Sequence, residues 1–135
     1  MFNKFIDKNR LNFYFVFRIF VGLLFLQHGL QKTFGMFGGL GGNSAPIMSL
    51  MGAAGIIETV AGILITLGLF TRIISAISAV EMLIAYFMAH APGGLIPLMN
   101  QGELALLYFA CFLVLIAYGA GKLSFERAML KKERF

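Results

Sequence analysis

AAGIIETVAGILITLGL, residues 53–69, is apolar from end to end except for two threonines and a single charge, Glu58. With its flanks it is long enough to cross a bilayer, whose hydrocarbon core takes about 20 predominantly apolar residues of helix. Two other stretches repeat the arrangement: Glu81 lies within 73–91 and Arg18 within 11–31. An ionisable group at bilayer depth costs several kcal/mol unless it is paired or faces a cavity. The places where these charges sit are therefore the best functional clue in the chain.

Working outward, the composition agrees. Of 135 residues, 59% are hydrophobic and 13% charged, where a soluble domain carries roughly a quarter charged. Four windows qualify as spans: 11–31, 47–69, 73–91 and 99–119. Little is left over for a soluble domain. The expectation is an all-α membrane protein, one four-transmembrane-helix bundle over 1–135 with a basic tail at 120–135. Lys4, Lys8 and Arg10 before an apolar run resemble a secretory leader, but Arg18 interrupts the run and no small-x-small cleavage site follows, so it reads as a retained first span.

The formal net charge of +5 does not indicate nucleic acid, because of where the charges fall. Lys4, Lys8 and Arg10 precede the first span, Arg72 fills the turn between the second and third, and Lys122, Arg127, Lys131, Lys132 and Arg134 follow the fourth. An even number of spans puts all three groups on one side, and cationic loops favour the cytoplasm. Both termini are expected there, the tail against anionic lipid headgroups. The opposite loop, 33–46 (TFGMFGGLGGNSAP), is glycine-rich and almost uncharged, which reads as a flexible connector or a lid.

Cys111 is the single cysteine, which excludes an intrachain disulfide or a CxxC redox pair. GAGK at 119–122 lacks the leading glycine and the following Ser or Thr of a phosphate loop. Measured along the expected spans, Arg18 and Glu81 lie seven and eight residues in from the cytoplasmic side, about 12 Å at helical rise. Matched depth predicts an Arg18–Glu81 ion pair. His28, Lys32, Glu58, His90, Asn100 and Glu103 all fall in the outer half, with Gln27 beside them. On the second span Gly55 and Gly62 share the face of Glu58, and on the first Gly22 and Gly29 share that of Arg18 and Lys32. Small residues allow close helix approach in lipid, so these charges are expected at helix contacts. Phe13 to Phe17, Phe20 and Phe25 read as lipid-facing aromatics.

Carboxylate, histidine and lysine together suit proton exchange with a quinone. Metal or haem ligation by His28 and His90 is disfavoured, since their spacing matches no ligand motif. A non-catalytic packing network, a scaffold for redox proteins and a small proton-coupled transporter stay open as alternatives. No nucleophile–base pair or dinucleotide fingerprint is present, so independent catalysis is not expected.

Taken in order, the pieces RIFVG (18–22), HGLQK (28–32), IETVAG (57–62), LGLFTR (67–72), NQGELALL (100–107) and GAGKLS (119–124) resemble the DoxX family of small bacterial membrane proteins over nearly the whole length. The chain departs in having Glu126 where the family commonly has Asp, and in its glycine-rich first loop. The resemblance implies a four-helix inner-membrane bundle with Arg18, Lys32, Glu58 and Glu103 as signature polar positions. It also implies a link to quinone and oxidative-stress biology, since relatives include a DoxD-like subunit of a thiosulfate:quinone oxidoreductase. A subunit that works with redox partner proteins, or a homo-oligomer, is in keeping with it.

Overall fold

The computed structural model describes residues 1–130, and these are helical with no strand beyond one isolated bridge between Leu40 and Asn43. Lys131, Lys132 and Arg134 of the basic tail lie outside the described residues. The first helix, α1, runs Phe2–Phe34, well ahead of the apolar window that opens at 11. The charged residues Lys4, Asp7, Lys8 and Arg10 end the apolar run but not the helix, because they are compatible with helical backbone. α1 stops at Gly35, whose φ of 67° is the left-handed cap that glycine adopts without strain.

α2 spans Leu50–Leu67, starting where the Ser49 hydroxyl accepts from the Gly52 amide at 3.0 Å. A tight turn through Gly68 and Phe70 leads into α3, Thr71–Ala85. α3 continues as a π turn, Tyr86–His90, and a 3-10 turn, Ala91–Gly93. Then come the short α4, Pro97–Asn100, and α5, Glu103–Tyr118, separated by Gln101 at φ 60°. The fourth apolar segment is thus shorter than the window 99–119, because Gln101 and Gly102 break it. A short α6, Phe125–Leu130, follows. By length and composition Phe2–Phe34, Leu50–Leu67 and Thr71–Gly93 can each cross a membrane, and Glu103–Tyr118 is a shorter apolar helix. Phe20, Leu24, Ile63, Val80, Leu107 and Leu113 are exposed, a surface suited to lipid tails.

α1 packs most extensively on α2, and α3 on α5. The first pairing depends on glycine. A Cβ at Gly29 would strike the Thr59 backbone, one at Gly22 the Thr66 amide, and one at Gly62 the Leu26 backbone. In lipid, where helices gain no hydrophobic drive toward each other, such close approach supplies the dispersion contact that holds them. Phe25, Ile65, Phe112 and Leu115 are wholly buried at the centre. Phe25 is therefore core rather than lipid-facing, unlike the exposed Phe13 and Phe20.

The expected Arg18–Glu81 ion pair does not form. Arg18 Nη1 donates to the Ile65 and Thr66 carbonyls at 2.6 and 2.9 Å, and Nη2 to the Leu123 carbonyl at 2.6 Å. Both Glu81 carboxylate oxygens are buried without a hydrogen-bond partner. The expectation measured depth from residue 11, whereas Arg18 lies level with the last turn of α2. Glu81 is ten residues beyond the α3 start, about 15 Å higher along the bundle. At a helix C-terminus a guanidinium meets free carbonyls and the negative end of the dipole, so Arg18 is satisfied there.

That end is closed by further contacts. Tyr14 Oη donates to the Gly119 carbonyl at 2.5 Å, and Arg72 Nη1 to the Ile116 and Ala117 carbonyls at 2.6 and 3.0 Å. The Phe70 amide donates to Glu126 Oε2 at 3.1 Å, and the Glu126 amide to the Gly68 carbonyl at 3.3 Å. The segment after α5 thus folds back onto the bundle at Leu123 and Glu126, while Lys122 and Arg127 stay exposed. At the opposite end the glycine-rich loop is a folded cap rather than a free connector. Gly38, Gly39, Gly41 and Gly42 take positive φ, Ala45 is buried, and the Ala45 amide donates to the Lys32 carbonyl at 2.7 Å.

Candidate functional site

Close packing of α1 on α2 brings Lys32 to Glu58. The ammonium Nζ sits 2.5 Å from Glu58 Oε1, with the lysine side chain 18% exposed and the glutamate 2%. Gly55 makes this possible, since a Cβ there would meet the Lys32 stem. Glu58 Oε2 has no partner. A charge-assisted bond of this kind stabilises both ions, yet it leaves half of the carboxylate able to accept from something else.

The pair borders a cavity of about 210 Å³ lined also by Phe25 and His28 from α1, Met82, Ala85 and His90 from α3, and Leu104, Ala105 and Tyr108 at α5. Gln101, in its left-handed conformation, closes the rim. The His28 ring meets Tyr108 edge-on at 5.7 Å, and Tyr108 lies against Phe25 and Phe112 at 5.2 and 5.9 Å. The π turn shapes the opposite wall. Widening the helix over Tyr86–His90 places His90 at the cavity, stacked on Tyr86 at 6.5 Å, its Nδ1 at 3.1 Å from the Asn100 carbonyl. Single π turns of this kind recur at functional sites.

His28, Lys32, Glu58 and His90 are accordingly brought together. Asn100 is not on the lining. Its amide nitrogen donates to the Gly94 carbonyl at 2.6 Å and to Tyr86 Oη at 3.4 Å, while its Oδ1 accepts from the Gly102 amide at 2.7 Å. It knots the loop that carries the His90 wall. Glu103 is exposed at the start of α5, outside the lining. Glu81 is 9% exposed and does not line the cavity, but it lies within electrostatic range of Glu58 and Lys32. The Arg18 level is elsewhere, at the other end of α2.

Sequence reasoning missed Tyr108, Met82 and the direct Lys32–Glu58 pairing. A signal for the pairing existed in Gly29 and Gly55, small residues that mark which faces of spans one and two can touch. Tyr108, a polar tip inside an aliphatic helix, was visible but had no partner to identify it. A second, smaller hollow lined by Gln27, His28, Gln31 and Phe37 lies under the folded loop, where Gln31 Nε2 donates to the Gly39 carbonyl at 3.3 Å. Among the described residues no group of three or more His, Cys, Asp or Glu side chains is placed to hold a metal ion.

Comparison with known proteins supplies the lineage. The chain is 40% identical over 134 residues to an uncharacterized protein of Haemophilus influenzae, covering 94% of this chain and 98% of that one. No solved structure matches it. The family model described as DoxX matches residues 13–91, which hold α1 from residue 13 onward, α2 and α3 and, with them, Lys32, Glu58 and Glu81. Three apolar helices and that match together make this a membrane protein, and the chain belongs to the DoxX family.

Proposed function

We propose that the chain is a four-crossing protein of a bacterial cell membrane, both ends cytoplasmic, whose cavity takes the ring of a quinone as part of a redox system. The observation that carries the ligand reading is the half-satisfied Glu58 carboxylate, held by Lys32 beside His28 and Tyr108 in a pocket with apolar walls. Small-molecule sites run from about 300 to 1,000 Å³, so a cavity of about 210 Å³ suits a single ring better than a macrocycle such as haem. A quinone, when bound, accepts or releases electrons together with protons. Phe25 and Met82 offer it apolar surface, Tyr108 and His28 offer donors, and Glu58 with Lys32 holds charge near its oxygens. In such a system we read the chain as a subunit or accessory rather than a free-standing enzyme.

Binding of a short-chain quinone analogue to the full-length protein in lipid nanodiscs tests this. The hydroxyl of the reduced analogue can donate to the free Glu58 Oε2, and losing one hydrogen bond to a charged group removes about 1.5–3 kcal/mol, so Glu58→Gln should weaken binding of the reduced form by about tenfold or more. Tyr108→Phe should weaken it less. No saturable binding to the intact protein, or equal affinity in Glu58→Gln, would end the quinone reading.

A further inference from the structure

Below the cavity, α3 carries a file of buried hydroxyls that the quinone reading does not use. Thr71, Ser75 and Ser78 are wholly buried, lie on one face at helical spacing, and none of the three hydroxyls has a hydrogen-bond partner. One turn farther on stands Glu81, with both carboxylate oxygens buried and unpartnered. Unmet polar groups in a helix that crosses lipid are costly, and four in succession call for a common explanation.

Charge supplies the second observation. The ionisable groups that act on Glu81 are Glu58 from α2 and Lys32 from α1. Two carboxylates therefore share one ammonium, an excess of one negative charge in a water-poor interior. Arg18 does not correct this, since it is bound to carbonyls at the far end of α2. One monovalent cation balances the set, and a proton does so without needing a coordination shell.

We propose that Thr71, Ser75 and Ser78 line a proton path from the Phe70 end of the bundle to Glu81, and that Glu81 and Glu58 pass one exchangeable proton to the cavity. Successive hydroxyls are about 4.5–6 Å apart along the axis, and because all three are closely packed, water must enter transiently to bridge them as the proton passes. A proton taken from water at the Phe70 end forms an O–H bond on the Glu81 carboxylate. That bond breaks as another forms on Glu58, and the proton leaves to water in the cavity. Lys32 remains an ammonium throughout, and no electron moves. The path does not require a quinone, so it stands or falls apart from the reading above.

The test uses full-length protein in quinone-free phosphatidylethanolamine–phosphatidylglycerol vesicles, with a potassium diffusion potential and an internal pH dye. Wild-type vesicles should acidify or alkalinise faster than empty ones. Glu81→Gln, the isosteric Thr71→Val and the hydroxyl deletion Ser78→Ala should each slow that flux by about tenfold, while lipid-facing Ile77→Ala leaves it unchanged. Circular dichroism and quinone-analogue binding on the same variants separate a blocked path from a lost fold or a lost pocket. Vesicles no more permeable than empty ones, or flux unaltered in folded Glu81→Gln and Ser78→Ala, would overturn the path. A flux of sodium in place of protons would overturn the choice of cation.

Discussion

At the scale of single residues, Lys32 and Glu58 show how one contact makes two otherwise costly charges tolerable. Removing one member of a buried pair strands the other and costs about 3–5 kcal/mol, whereas replacing both with neutral groups restores much of the loss. Lys32→Met should therefore destabilise the protein by roughly 3 kcal/mol in a reversible detergent-unfolding assay. The double variant Lys32→Met with Glu58→Gln should recover more than half of that. Equal stability of the single variant and wild type would mean that the pair is an incidental contact. Both residues were identifiable from the chain as ionisable groups in apolar runs. Their partnership was not, since a sequence position gives depth only once the helix start is known.

At the scale of elements, the α1–α2 contact and the Arg18 cap carry different loads. Gly29 sits where a Cβ would strike the Thr59 backbone, which cannot move without shifting α2. Gly29→Val should cost about 1–3 kcal/mol or more through overpacking, measured in the same unfolding assay, while Ile63→Ala on the exposed face costs far less. Arg18 ties α2 to the segment after α5 through three carbonyls. Arg18→Met removes charge-assisted bonds worth about 1.5–3 kcal/mol each before solvent compensates. Limited proteolysis should then cut near Leu123 sooner than in wild type, and an unchanged cleavage pattern would count against the cap. Helix existence was legible from apolar run length, but ends were not. The charged turns of α1 continued the helix past the apolar window, and the Gln101–Gly102 break shortened α5.

At the scale of the whole molecule, the disposition of charge argues for a shared side. The start of α1, the α2–α3 turn and the segment after α5 meet through Tyr14, Arg18, Arg72 and Glu126, and that end carries most of the basic residues. α5 has 16 residues, about 24 Å at helical rise, so crossing about 30 Å of hydrocarbon requires the α4 turn or local thinning to complete it. With Cys111→Ala as background, Asn43→Cys should react with an impermeant thiol reagent from outside intact cells, and Lys122→Cys only after lysis. The reverse pattern would invert the topology. Apolar run length and charge placement, which depend on composition along the chain, were enough for the sequence alone to determine membrane residence, helical class and family. Which charges meet was decided only by tertiary structure, because pairing depends on the register and rotation of helices fixed by distant glycine contacts. That register gave Lys32 to Glu58, sent Arg18 to the carbonyls of α2, and left Glu81 buried without a hydrogen-bond partner at the head of a column of hydroxyls.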